Sequence, residues 1–287
     1  MPLRPLLAVL LLACAAVLRA ADPNAPLFAM LPHRAHYFSG GTAAAGADAA
    51  PLAAQSRAAL ARLDAQLAAA GLTRASLVYL HAFIAAEHAD MDSARAVWRA
   101  EFAREFPHPP TDYRVSTVPA LPRPGLRVML EFIAAYPHDT VPAAGTPTTN
   151  PALRLLAAPG PPRTDGISVR AGTYLREVSD AFALGSTTAA QAAAVLERLR
   201  SQLADENLSL ADIVQIRVTL LRDRERDNAF DFAGWEKTCA QYFGTAANPH
   251  RPPWTVLTSE LLPVDALVSL DFVIASRTAA RPTGKSP

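Results

Sequence analysis

The residue types that could do chemistry in this chain are thinly spread. His33 and His36, three residues apart, could offer two imidazoles to a metal, but no third ligand stands nearby and the pair reads as a solvated loop. His81 falls in the middle of an expected strand, and Arg217 falls in the middle of another. Each side chain could project into a cleft or into solvent. His108 and His250 shortly precede the proline pairs Pro109-Pro110 and Pro252-Pro253 and read as loop residues. Cys239 lies near Trp235 and Tyr242 on an apolar helical face, which describes a buried structural thiol, and Trp98 and Trp235 sit at core spacing. The run Arg222-Asp223-Arg224-Glu225-Arg226-Asp227 alternates in sign and reads as a solvated turn. There is no phosphate-cradling glycine loop, no Ser-His-Asp arrangement of informative spacing and no zinc motif, so neither metal nor cofactor is expected.

What positions these residues is a sequence that repeats. Gln55, Leu60, Leu63 and Leu67 recur as Gln191, Leu196, Leu199 and Leu203, at a constant offset. Leu77-Val78 matches Ile213-Val214, Trp98 matches Trp235, and Phe106 matches Phe243. The chain of 287 residues therefore reads as two copies of one globular unit, at 33–137 and 164–277, joined by a Pro-, Ala- and Thr-rich linker at 138–163. The tail at 278–287 is expected to be disordered.

Apolar content of 51% with 18% charged residues is a globular composition, and a net charge of +1 gives no bulk attraction to nucleic acid. Residues 1–21 have a short basic start, an apolar run and small residues behind it, as in a secretory signal peptide, which predicts export to a periplasm or beyond. A second reading takes Leu11-Leu12-Ala13-Cys14 as a lipobox, with a lipid anchor at Cys14. After ordinary cleavage Cys239 is the one cysteine left, so no intramolecular disulfide can form.

Each copy predicts strand-strand-helix-strand-helix-strand-strand, an α+β unit with a mixed sheet and two helices on one face. Val78, Leu80, Val214, Ile216 and Val218 are expected to make the other sheet face apolar as well. Such a face needs cover, either another subunit or the sister domain.

The ordered set of Ser39-Gly40-Gly41, the Gln55-to-Leu72 helix, Ala211-Asp212-Ile213-Val214, the two proline pairs and the endings Leu130-Glu131-Phe132-Ile133-Ala134 and Leu270-Asp271-Phe272-Val273 resembles the YjgF/RidA (Rid) family, in two tandem copies. The resemblance implies a chorismate-mutase-like fold, a trimer-like assembly with clefts between units, and hydrolysis of enamines and imines derived from amino acids. In such enzymes an Arg clamps the substrate carboxylate and a Glu on the last strand positions water.

This chain departs from that pattern. The Arg position falls on Tyr113 in the first copy, with Arg114 beside it, and on Trp254 in the second. The Glu position falls on Met129 and Ser269, with Glu131 and Asp271 two residues on. If the first copy is catalytic, Arg114 and Glu131 are its candidates. If the clefts only bind, Tyr113, Gly40, Trp254 and Asp271 are candidate ligand contacts, and the partner is a small molecule such as an imine, enamine or other small carboxylate. An exported small-molecule-binding or assembly module is the expectation, a 2-iminobutanoate/2-iminopropanoate deaminase the alternative, and a homo-oligomer is expected in either case.

Overall fold

The computed structural model describes residues 28–30, 32–43, 50–85, 90–139, 145–157, 164–180, 185–223, 227–260 and 265–277. The expected export segment, Cys14 and the tail lie outside them.

The first half contributes β1 (Phe28–Met30), β2 (His36–Ser39), α1 (Leu52–Ala69), β3 (Leu77–Ala85), α2 (Met91–Glu105), β4 (Asp112–Val118) and β5 (Val128–Ala135). Next come β6 (Thr146–Pro147) and β7 (Leu153–Ala157). The second half contributes β8 (Thr164–Val169), β9 (Leu175–Asp180), α3 (Thr188–Asp205) and β10 (Ile213–Leu220). It continues with the β11 (Arg222–Asp223) and β12 (Ala229–Phe230) hairpin, α4 (Phe232–Tyr242), β13 (Trp254–Thr258) and β14 (Val268–Ala275).

Two mixed sheets result. One has the order β4-β3-β5-β2-β8-β7-β6, the other β1-β9-β14-β10-β13. Within them β4-β3-β5-β2 and β13-β10-β14-β9 share an order and a pairing pattern. β3/β4 and β10/β13 are parallel, each joined through a helix, and the remaining contacts are antiparallel. The outer neighbours are exchanged. β1 pairs with β9 of the second sheet, and β8 pairs with β2 of the first. The expected linker is more than a connector: β6 and β7 extend the first sheet beyond β8. A proline-rich composition hides them because an edge strand tolerates Pro.

Helices cover one face of each sheet. Leu60, Leu63 and Leu67 of α1 and Trp98 and Phe102 of α2 pack on Leu80, Ala82, Ile84, Leu130 and Phe132. Leu196, Leu199 and Leu203 of α3 and Trp235 of α4 pack on Ile216, Val218, Leu220, Leu270 and Phe272. Burying such side chains contributes roughly 1.5–3 kcal/mol each. The buried glutamines of α1 and α3 do the same work in each half. Gln55 donates to the Gly125 carbonyl and accepts from the Arg127 amide, both at 2.8 Å. Gln191 donates to the Asp265 carbonyl and accepts from the Leu267 amide, both at 2.8 Å. Each thereby satisfies the backbone that turns into the last strand of its half.

The opposite faces meet each other. Phe38, Ile133, Ile167, Val214 and Val273 form one apolar cluster between the sheets. Phe83, Val118, Leu121, Met129 and Leu257 form a second. Val78 and Val214 lie on this inner side as expected, while Leu80, Ile216 and Val218 belong to the helix-side cores. The reason is a register irregularity in each central strand, between Leu77 and Tyr79 and between Ile213 and Gln215, which shifts the alternation by one residue.

The sheets are also tied by polar contacts. Gln215 Nε2 donates to the Ser39 carbonyl at 2.6 Å, Gly41 N–H donates to the Trp254 carbonyl at 2.9 Å, and Ala120 N–H donates to Thr258 Oγ1 at 2.8 Å. Gly40 makes the close approach possible, because a Cβ there would lie 3.0 Å from both the backbone N and O of Trp254. Backbone cannot step aside as a side-chain tip can. Gly40→Ala is therefore expected to destabilise the chain by about 1–3 kcal/mol in urea unfolding. An unchanged midpoint would contradict this account of Gly40.

Candidate functional site

The bulge-corrected alternation decides which side chains face the other sheet. On β5 the inward positions are Met129, Glu131 and Ile133. Met129 belongs to one apolar cluster and Ile133 to the other, so Glu131 sits between them. On β3, Tyr79 and His81 point the same way, with His81 directly across from Glu131 in register. On β10 and β14 the inward residues include Arg217 and Asp271, also directly paired. A polar stripe thus runs between two apolar plugs. At this stripe lies a cavity of about 460 Å³, within the range of small-ligand sites.

The floor of the cavity is an ion pair between the halves. Arg217 Nη2 of the second sheet donates to Glu131 Oε1 of the first. Glu131 is 1% exposed and Arg217 is 32% exposed. Burial opposes the charge on Arg217, and the Glu131 carboxylate more than offsets it, leaving the guanidinium pKa above its ordinary value. The pair is not fully satisfied. Glu131 Oε2 and Arg217 Nε are buried and make no hydrogen bond among the described residues.

A side-chain relay leads away from this pair. Arg217 Nη2 donates to the Tyr79 hydroxyl at 3.4 Å, and that hydroxyl lies 3.0 Å from His81 Nδ1. His81 Nε2 lies 2.8 Å from Ser116 Oγ. In the neutral ring one nitrogen donates and the other accepts, so His81 meets Tyr79 and Ser116 in opposite roles. Burial holds the His81 pKa down to about 4, so the ring is neutral at physiological pH. Burial, with the Glu131 charge adding to it, lifts the Tyr79 hydroxyl to about 12.

The mouth carries Arg114 and Asp112. Arg114 Nε and Nη2 close on the two Asp112 oxygens at 2.8 Å each, and both side chains are largely exposed. The remaining charged lining residues are Glu177 and Asp271. Ser179 Oγ donates to Asp271 Oδ1, and neither carboxylate forms an ion pair among the described residues. Burial, reinforced by the Asp271 charge, raises the Glu177 pKa. Phe38, Ile133 and Val273 supply apolar wall.

The structure thus brings Arg114, Glu131, Asp271 and Arg217 to one cavity and leaves out Tyr113, Trp254 and Gly40. Tyr113 faces the helices: its hydroxyl accepts from Trp98 Nε1 at 2.7 Å and its ring stacks on Phe102. Trp254 does the same in the second half, edge-on to Trp235 and under the Arg251 guanidinium. Adjacent strand residues point to opposite faces, so Arg114 takes the inward position that Tyr113 cannot, and Thr255 is its counterpart in register across from Arg217. Gly40 meets the Trp254 backbone rather than the cavity. His36 Nδ1 donates to the Arg34 carbonyl, and Cys239 is buried, its thiol pushed up to about 12 by burial. Tyr79 and Glu177 were not among the sequence candidates.

No protein-family model matches the chain, and no curated protein matches it. Solved structures similar to part of it are YjgF/Rid family members. One from Mycobacterium tuberculosis, of the YjgF/YER057c/UK114 family, is 29% identical across 35% of this chain and 79% of its own, with a TM-score of 0.30. A Rid protein of unknown function from Yersinia pestis is 24% identical across 37% of this chain and 82% of its own, with a TM-score of 0.32. A YjgF family member from Neisseria meningitidis is 20% identical across 44% of this chain and 96% of its own, with a TM-score of 0.30.

Two stability measurements probe the site. Arg217→Met leaves Glu131 buried without a cation and is expected to cost about 3 kcal/mol, while Arg217→Met with Glu131→Leu recovers most of the loss. Equal losses in the single and double variants would show that the pair is not coupled. Glu177 has a raised folded pKa, so its contribution to stability is fully present in acid and is lost as pH rises through the folded value. Glu177→Gln is therefore expected to raise the melting temperature at pH 7, with the gain vanishing below about pH 4. A gain that persists in acid would point to packing instead of charge.

Proposed function

We propose that the chain is an exported protein built from two Rid-like units whose shared cleft binds a small molecule without turning it over. The observation that carries this reading is the state of the cavity's cations. Arg217 is committed to Glu131 and Arg114 to Asp112, so neither guanidinium is free to clamp a substrate carboxylate. Tyr113 and Trp254, at the positions where the resemblance expects the clamp, are bound into the helix-side cores. The unsatisfied atoms of Glu131 and Arg217 and the apolar walls support ligand binding, because a bound polar group would complete their hydrogen bonding. The repeated roles of Gln55 and Gln191, and the matching strand orders, support two copies of one unit.

A deaminase is the second reading, favoured by Arg114 and Glu131 lining the same cavity. In that case Arg114 would leave Asp112 for the substrate carboxylate. An assay on 2-iminopropanoate generated in solution separates the two. Background rates are expected from both the wild-type protein and Arg114→Ala. Turnover by the wild type that disappears in Arg114→Ala would establish the deaminase and end the binding-only reading.

A further inference from the structure

We infer that the chain carries a serine nucleophile beside the cavity: Ser116, with His81 as its general base, takes the acyl group of a small carboxylic ester. Ser116 Oγ lies 2.8 Å from His81 Nε2, and His81 Nδ1 lies 3.0 Å from the Tyr79 hydroxyl. A nucleophile thus stands within hydrogen-bond reach of a base whose other nitrogen meets a third group. That arrangement activates serine in acyl transfer. Tyr79 lines the cavity, whereas His81 and Ser116 do not. The inference is therefore separate from the small-molecule reading of the cleft.

Strand pairing, not sequence spacing, assembles the dyad. β3 and β4 are parallel, with His81 across from Arg114 and Phe83 across from Ser116, so the two side chains stand diagonally on one face. Both residues are half-buried, hence reachable from solvent and partly shielded from it. The Phe83 ring packs against the imidazole at 4.0 Å between centroids. Burial keeps that imidazole neutral at physiological pH, so it is free to accept a proton there. In the tautomer with its proton on Nδ1, the ring donates to Tyr79 and accepts from Ser116. β4 is an edge strand, so alternate backbone N–H groups beside Ser116 point away from β3. They are the donors nearest a developing oxyanion. In the reaction the Ser116 oxygen bonds to the ester carbonyl carbon while its proton passes to His81 Nε2. The bond from that carbon to the alcohol oxygen then breaks, and the alcohol leaves with the proton. Water attacks the acyl-serine by the same route and frees the acid. Phe83 and Val118 on this face are almost fully buried, which leaves a shallow floor suited to a short acyl group.

The test is labelling of the full chain with diisopropyl fluorophosphate at pH 7.5, mapped by peptide mass spectrometry, alongside hydrolysis of 4-nitrophenyl acetate. A single adduct is expected, on Ser116. Ser116→Ala is expected to lose the adduct and to bring ester hydrolysis down to the buffer rate. His81→Gln is expected to slow labelling about tenfold or more, as loss of a general base does, with its fold checked by circular dichroism. Should His81→Gln not fold, the adduct map of the wild type and the Ser116→Ala comparison decide the matter. The dyad would be overturned by a wild type that takes no adduct or takes it on another residue. Equal ester hydrolysis in Ser116→Ala, or unchanged labelling in a folded His81→Gln protein, would overturn it as well. Each of these results leaves the reading of the cavity as it stands.

Discussion

A sheet with helices on one face only has a second face that water cannot be left to cover. In this chain each sheet solves the problem with the other. The two inner faces bury Phe38, Ile167 and Val214 at one end and Phe83, Met129 and Leu257 at the other. The exchange of β1 and β8 ties that solution into the hydrogen-bond ladders themselves, since each sheet ends on or continues through a strand from the other half. The consequence is energetic as well as topological. Moving the halves apart would expose both apolar clusters and leave the edges of β2 and β9 with unpaired backbone groups, so the interface is as much a part of the fold as either helix-side core.

Between the two plugs the packing changes character, and that change makes the site. Glu131 enters the seam from one sheet and Arg217 from the other, with Tyr79, His81 and Ser116 extending the polar contacts along it. An ion pair in such a place is weak evidence of stabilisation, because its desolvation cost rivals its attraction. It does impose register: a slip of one residue in β5 or β10 would turn Glu131 or Arg217 into an apolar core and leave the partner stranded. The irregularities at Leu77/Tyr79 and Ile213/Gln215 aim Tyr79, His81 and Arg217 inward, while Glu131 follows the regular alternation of β5.

Much of this was legible in the sequence, for reasons that can be assigned. The leucines of α1 and α3 and the glutamines beside them repeat at helical spacing, so both helices and their correspondence could be read directly. Glu131 and Asp271 were found because strand parity puts them on the face of the expected Glu position, and Arg114 because it stands beside the expected Arg position. The face of Leu80, Ile216 and Val218 was misread because parity was carried straight through an irregularity that leaves no compositional mark. The exchange of β1 and β8 was not legible either, since a short apolar strand looks the same whichever sheet receives it. Tyr113 and Trp254 were candidates only through alignment to a clamp position, and an aromatic ring beside a buried tryptophan is more stably placed in the core than in a wet cleft.

Glu177 was the residue furthest from view, and it shows why sites between sheets resist sequence reading. Nothing near it in the chain announces chemistry. It matters because β9 lies beside β14, which sets it diagonal to Asp271, and because the first half closes over both with Glu131. A lone carboxylate on a solvated strand would be unremarked. Two carboxylates under partial cover, facing a third with an unfilled acceptor, form a local excess of negative potential that the surrounding fold maintains at a cost to its own stability.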